Sequence, residues 1–330
     1  MRITHFAPFA PGRCGLYESA ADMLAMERRL GHQAEFVDVG VEGKRQVGAT
    51  DRGITTVDYD DVRDYDVFVS HSDMLSAYLA STRAPVVHVL HGRPRSSFLL
   101  QQRKPLVSPV YDLVARWAKD ERYSFLTLWR SHVPYWRALI PASKLRATSA
   151  PPCDLERFDP AGPSYDFSSD RTDVLVADMW RDDEDPYHIL HGLMTLDPEA
   201  YRVHIYAARN PIGPWRYLFD ALRDRGLLGE LKGVMKGFSE VLRGADVVVT
   251  GSSIATRIVR EALALGTPVV GPVQSRFATT TYRSITEIPA AVTNATKSAL
   301  YPPADPRVFD IGDELIKTYE RAIAAHGVPA

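Results

Sequence analysis

Residues 245–270, ADVVVTGSSIATRIVREALALGTPVV, run from an apolar strand through a small polar turn into a helix, stop at Gly266 and enter a second strand. Thr256, Arg257, Arg260 and Glu261 crowd the first turns of that helix. A helix leaves its first amide N–H groups without intrahelical partners, and its macrodipole makes that end electropositive. The amides near Ala255, Thr256 and Arg257 are therefore expected to receive phosphate oxygens, with Arg257 adding charge-assisted bonds. Glu261, one turn further in, is an acceptor able to take both hydroxyl hydrogens of a diol, as in a ribose. The plainer alternative is a solvated acid favoured by the helix dipole.

Other chemistry-bearing groups are less specific. APVVHVLHG, residues 84–92, ends a strand on His91, three residues after His88, and an ordinary strand-end histidine explains it on residues alone. DDEDPYH, residues 182–188, contains Asp183 and Asp185 in an Asp-x-Asp spacing that metal-dependent transferases use. A run of four acids also describes a solvated loop, and no catalytic metal is expected. Cys14 and Cys153 are the chain's two cysteines, without C-x-x-C spacing, so neither a zinc knuckle nor a disulfide framework is indicated.

Positioning these groups requires parallel sheets. RITHFAPFA, LYESAADMLAMERRLGH and QAEFVDVG read as strand, helix and strand, with Leu16, Ala20, Met23, Leu24 and Leu30 on one helical face and Gly31 at the stop. DYDVFVSHSD and APVVHVLHG add two strands. The Pro-, Ser- and Asp-rich run 148–170 has no period and reads as an interdomain linker. A second alternation follows: strand TDVLVADMW, helix DPYHILHGLMTL, strand YRVHIYAAR, helix PWRYLFDALRDRGLL, a strand near GVMKGF, helix SEVLRGA, then the segment above. Residues 276–305 are the least regular, and GDELIKTYERAIAAHG closes the chain as an amphipathic helix. Alternating strands and helices imply α/β architecture with two open, doubly wound sheets, whose ligands belong at the strands' C-terminal edge.

Composition agrees with two globular cores. The 330 residues are 45% hydrophobic and 24% charged, with a formal net charge of −2. That excludes a generally basic nucleic-acid coat protein. Charge is nevertheless segregated: Arg93 to Arg146 holds 11 Lys/Arg against 3 Asp/Glu, and Asp154 to Glu199 holds 13 acids against 3 bases. The basic span interleaves Phe98, Tyr111, Trp117, Tyr123, Phe125, Trp129, Tyr135 and Trp136, a pattern that either tracks a nucleic acid with stacked bases or packs inward as an ordinary core. No secretory leader and no apolar run of membrane-spanning length is read, so a soluble, cytoplasmic protein is expected.

The segment Leu242 to Gly271 resembles the donor-binding segment of GT-B glycosyltransferases, specifically the retaining family 4-like group, whose Glu-Ala-x-Ala-x-Gly-x-Pro-Val-Val pattern matches EALALGTPVV almost position by position. The resemblance implies that Glu261 binds the nucleotide ribose. FAPFAPGRCGLYESAADMLAMERRLGH is similar to the family's opening Gly-rich loop and helix, which would bring Gly12 and Gly15 to the donor diphosphate. APVVHVLHG is similar to the family strand ending in His-Gly, which would place His91 beside the transferred sugar as the catalytic histidine; TSAPPCDLERFDP resembles the interdomain signature. Two positions depart from the pattern. Ser253 stands where the family has its first donor-sugar Glu, and the diphosphate Arg–Lys pair is reduced to Arg181, with Pro186 near the Lys position. Arg257 or Arg209 is left to complete the clamp.

The resemblance implies two Rossmann-like domains facing across a cleft, residues 1–152 on the acceptor side and 153–310 on the donor side, with a helix over 311–330 packing back toward the first. It implies transfer of a sugar from a nucleotide-diphosphate sugar, such as a UDP-sugar, to an acceptor hydroxyl, with retention and without cofactor or metal. Donor contacts fall to Gly12, Gly15, Arg181, Ser253, Thr256, Arg257 and Glu261; Arg93, Arg95 and Trp129 are acceptor-side candidates for an anionic acceptor, a modified base in DNA included. Two alternatives stay open: a nucleotide-sugar epimerase of the same layout, and a non-catalytic nucleotide-sugar or nucleic-acid binding protein.

Overall fold

The computed structural model describes the chain except for residue 13 and residues 41–44, 72–78, 80–81, 93–109, 178–185, 207–214, 234–236, 298–305 and 328–330. The chain divides into two compact units, Met1–Asp154 with Val308–Ala330, and Leu155–Arg307.

The first unit is built on β1 (Arg2–Ala7), α1 (Gly15–Arg29), β2 (Gln33–Asp38), β5 (Val67–Ser70), β6 (Val86–Leu90), α2 (Val110–Trp117), β7 (Tyr123–Thr127), α3 (Val133–Trp136) and β8 (Leu145–Ala147), with β3 (Thr50–Asp51) and β4 (Ile54–Thr55) forming a small antiparallel pair. Its six-stranded sheet has the order β2-β1-β5-β6-β7-β8, all pairs parallel. Strands buried on both faces read as near-continuous apolar runs, which is why VFVS and VVHVL are β-rich and fully buried. On one face Phe6, Phe68, Val86, Leu90, Phe125 and Leu145 form a core with Trp117 and Trp136.

The second unit comprises β9 (Thr172–Val176), α4 (Pro186–Leu193), β10 (Tyr201–Ile205), α5 (Arg216–Asp224), β11 (Leu228–Leu231), α6 (Phe238–Gly244), β12 (Val247–Val249), α7 (Arg257–Ala264), β13 (Val269–Pro272), β14 (Thr280–Tyr282) and α8 (Ile288–Lys297). Its sheet runs β11-β10-β9-β12-β13-β14, again parallel throughout. Both sheets are α/β and consistent with Rossmann-like domains. Each reverses its strand order once, between β1 and β5 in the first and between β9 and β12 in the second, and such switch points are where ligands enter doubly wound sheets.

The linker run 148–170 contains a single short turn of 3-10 helix, Leu155–Arg157, and no strand. Its first residues are fastened within the first unit: Ser149 N donates to Glu314 Oε2 at 2.7 Å, Cys153 N donates to the Phe309 carbonyl at 3.2 Å, and Arg29 meets Asp154 at 2.6 Å. The terminal helix α9 (Gly312–Ala325) belongs to the same unit, where Gly312 lies against Leu30 and Met26 of the α1 end.

Three sequence expectations are corrected. The helix expected through Leu228 ends at Asp224, because Gly226 turns the chain at φ 72° and LGEL becomes the edge strand β11. The irregular stretch after Gln274 contains β14 and α8, an apolar face hidden by the threonines around it. Leu30, placed on the apolar face of α1, caps the helix and is 44% exposed. The strand expected near GVMKGF falls largely on residues 234–236, outside the described residues.

Candidate functional site

In the second unit the chemistry gathers at the C-terminal end of β12, beside the switch point. Thr250 and Ser252 are fully buried, and Ser252 N donates to Thr250 Oγ1 at 3.1 Å, so the hydroxyls fold the turn tightly and leave Ser253 exposed. Tyr282 of β14 donates to the Thr250 carbonyl at 3.1 Å and pins the same turn. Thr256 then caps α7 with backbone angles of −57° and 171° and no side-chain capping bond. Its own N–H donates to the Ile254 carbonyl at 2.9 Å. The amides without an i−4 carbonyl are thus those of Arg257, Ile258 and Val259, a set two residues further along than Ala255, Thr256 and Arg257.

Glu261 lies one turn inside α7 and is only 4% exposed. Arg257, four residues earlier on the same face, donates from Nε to Glu261 Oε1 at 2.6 Å. The order is unfavourable for an isolated helix, because a cation at the first position opposes the macrodipole. The pair sets the Arg257 guanidinium beside the amides of residues 257–259, whose helix end is favoured by the macrodipole for negative charge. α7 closes at Gly266, whose φ of 81° is the left-handed conformation that a Cβ disfavours, and Thr267 Oγ1 donates to the Leu242 carbonyl at 2.7 Å as the chain turns into β13.

In the first unit the switch point carries histidines. His5 lies in β1 opposite Val69 of β5, which lies opposite Val87 of β6. Side chains repeat every second residue on a given face, so Val69 and His71 share a face, as do Val87, Val89 and His91. Each step across the sheet therefore rises two residues, and three rings climb diagonally from the middle of β1 to the end of β6. The contacts follow that staircase: His5 Nδ1 to His71 Nε2 is 2.9 Å, and His71 Nδ1 to His91 Nε2 is 2.8 Å. Beneath it, His5 Nε2 meets Glu27 Oε2 of α1 at 2.7 Å, and Tyr319 of α9 donates to Glu27 Oε1 at 2.8 Å. His5 and Glu27 are fully buried, and His91, past the strand end, is half-buried. Burial holds the His71 imidazole well below its ordinary range, with His91, His5 and His88 adding in the same direction.

His88 is a different case. It points to the opposite face, packs edge-on to Trp117 at 4.9 Å, shares a 3.1 Å hydrogen bond with Ser70, and is pushed down to about 4 by burial. It is a neutral core residue.

Gly12 and Gly15 stand in the loop after β1 and at the start of α1. Gly12 has φ 70°, and its N–H donates to Glu18 Oε1 at 2.7 Å, so in this structure a side chain of α1 takes that amide. Glu18 is in turn 3.1 Å from Arg52. Trp129 is 8% exposed, and its indole Nε1 is buried without a hydrogen-bond partner among the described residues. The basic and aromatic span resolves toward packing: Trp117, Tyr123, Phe125 and Trp136 are core residues, and Tyr135, 65% exposed, stands apart from them. Those four rings are packed in the core and are not open to stack on nucleobases; Phe98 lies outside the described residues. Arg93, Arg95, Arg181, Arg209, Asp183 and Asp185 lie outside the described residues. Among the described residues no group of three or more His, Cys, Asp or Glu is placed to hold a metal ion, and no helix is long and apolar enough to cross a membrane.

Sequence reasoning missed His5, His71, Glu27 and Tyr319. A signal existed for Glu27, which falls three or four residues beyond Met23 and Leu24 on the apolar stripe of α1. An acid in that position needs a buried partner.

No protein family and no curated protein sequence matches the chain. Solved structures do. Anabaena HepE in complex with UDP and glucose superposes with a TM-score of 0.68 at 13% identity, covering 97% of this chain and 99% of that one. An alpha-glucosyltransferase in complex with UDP and a 13-mer DNA containing an HMU base gives 0.59 at 12%, with coverage of 99% and 95%. A glycosyltransferase from Rickettsia africae ESF-5 gives 0.60 at 11%, with coverage of 99% and 95%. The chain has the fold of these glycosyltransferases along nearly its whole length.

Proposed function

We propose that the protein is a glycosyltransferase of GT-B architecture that moves a sugar from a UDP-type nucleotide-sugar to an acceptor hydroxyl. The observation that carries this reading is the turn and helix after β12, where a buried carboxylate stands one turn inside an electropositive helix mouth. A nucleoside diphosphate matches both parts: the diphosphate takes the amides of residues 257–259 and the Arg257 guanidinium, and the ribose diol takes Glu261. Structures of the same fold that hold UDP or UDP-glucose support the ligand class.

In this reading the diphosphate is the leaving group, and groups already aimed at its developing charge stabilise it without reorganising. Arg257 serves there, with Arg181 and the glycines of the β1–α1 loop as further contacts; Gly12 would exchange its bond to Glu18 for one to phosphate. Ser253, exposed at the turn, faces the donor sugar where the related pattern has a carboxylate. His91, at the C-terminal edge of the first sheet, is the residue assigned to the reacting sugar, and exclusion of water directs the sugar to the acceptor. Retention at the anomeric carbon and independence of a catalytic metal belong to the same proposal. Arg93, Arg95 and Trp129 are the acceptor-side candidates, and the basic surplus of residues 93–146 favours an anionic acceptor, for which a modified base in DNA is one source.

The test is incubation with radiolabelled UDP-glucose and a panel of acceptors, DNA with hydroxymethylated pyrimidines included. Label transferred to an acceptor, with donor affinity lowered chiefly by Glu261→Gln and turnover chiefly by His91→Ala, supports the reading. Epimerised donor without any acceptor would assign the chain to the epimerases, and tight UDP binding without turnover on any acceptor would make it a binding protein.

A further inference from the structure

A carboxylate accepts hydrogen bonds and does not donate them, and Glu27 therefore imposes a direction on everything stacked above it. With Oε1 taken by the Tyr319 hydroxyl, Oε2 accepts from His5 Nε2–H. A neutral imidazole protonated on Nε2 presents a bare Nδ1, which accepts from His71 Nε2–H; His71 Nδ1 then accepts from His91 Nε2–H. The last ring is left with its hydrogen turned inward and Nδ1 unprotonated. With the three rings neutral, four groups from four separated segments, β1, α1, the end of β5 and the end of β6, satisfy these contacts in one tautomer, and Glu27, with no exposure, takes its hydrogen bonds from His5 and Tyr319.

We propose that Glu27, through His5 and His71, is a positioning residue and proton store for His91: the chain fixes the His91 tautomer and takes inward the proton that His91 acquires at Nδ1. The inference rests on the transferase reading for what delivers that proton, namely the attacking acceptor hydroxyl. Each hop conserves protons. His91 gains a hydrogen at Nδ1 and gives its Nε2 hydrogen to His71 Nδ1; His71 gives its Nε2 hydrogen to His5 Nδ1; His5 then carries hydrogen on both nitrogens, with its Nε2–H still donated to the Glu27 carboxylate. His71, buried among rings, passes the proton and does not keep it. The His5–Glu27 pair ends as an ion pair, and return of the proton to solvent after product release resets all three rings.

The experiment is side-chain nitrogen NMR on the full chain labelled with nitrogen-15 histidine, at pH 8 without ligand, so that its outcome is independent of any substrate. The expected wild-type result is His5, His71 and His91 each protonated on Nε2 alone, with imidazole N–H signals that exchange slowly with water. Glu27→Gln removes the charge that sets the direction: His91 becomes a mixture of tautomers, its N–H exchanges faster, and turnover falls roughly 100-fold while UDP affinity changes by less than about threefold. Tyr319→Phe keeps the carboxylate and is expected to retain the wild-type tautomers. A wild-type His91 protonated on Nδ1, or a folded Glu27→Gln protein with unchanged His91 signals, overturns the proposal. Should Glu27→Gln fail to fold, the wild-type tautomers and Tyr319→Phe still decide. Failure of the transferase reading shows separately, as wild-type protein that has the expected tautomers and transfers no sugar.

Discussion

Glu261→Gln separates a ribose-binding acid from a helix-stabilising one. The substitution keeps volume and one acceptor and removes the charge. In the free protein it weakens the 2.6 Å contact with Arg257, whose side chain is 26% exposed while that of the acid is 5% exposed. Fully buried pairs cost about 3–5 kcal/mol to break and exposed ones under about 1 kcal/mol. The Arg257 head has access to water, so a loss of about 1–2 kcal/mol in folding stability is expected, measured by urea unfolding. In the complex, two hydroxyl hydrogens lose a charged acceptor. Bonds to a charged group exceed neutral ones by about 1 kcal/mol each, so UDP affinity should fall by about 2 kcal/mol, roughly 30-fold, by calorimetric titration. The discriminating ligand is 2′,3′-dideoxy-UDP, which lacks the diol. Its affinity should be the same for wild type and variant. An equal loss for both ligands would show that Glu261 acts through the fold, and unchanged UDP binding would remove the carboxylate from the site altogether.

Further outcomes follow from the same structure. His88, lowered to about 4 against an ordinary value near 6.5, must charge on unfolding in mild acid; the stability this neutrality provides is complete above about pH 6.5 and is lost as pH falls toward 4. Between pH 7 and 5 the loss is about 2 kcal/mol, and His88→Asn, less stable at pH 7, should show a shallower decline in urea unfolding; parallel pH curves would refute the assignment. In Gly244→Ala the new methyl carbon would collide with the Tyr165 carbonyl oxygen and part the chain from α6, where Tyr165 N donates to the Glu240 carbonyl at 2.9 Å; a loss of about 1–3 kcal/mol is expected, and an unchanged melting temperature would contradict this packing. Turnover should persist in EDTA, and a strict requirement for Mn²⁺ would refute metal independence.

The linear sequence determined the alternation of elements and, through EALALGTPVV, the strand, helix, glycine stop and strand that frame Glu261. These are local properties, set by period, capping and turn chemistry within a few residues. Even the Arg257–Glu261 pair is latent in a four-residue spacing, although nothing local says that it closes in the free protein. The partner of Glu27 was not legible. His5, His71, His91 and Tyr319 are separated from it by 22, 44, 64 and 292 positions, and each alone is an ordinary residue. Only the parallel register of β1, β5 and β6, with α1 and α9 laid against that face, brings them within hydrogen-bond reach. A one-residue slip between β1 and β5 would turn His5 to the opposite face of the sheet and break the chain of rings. Local propensity chose the elements; the register, fixed by burying both faces of the sheet at once, chose which side chains meet.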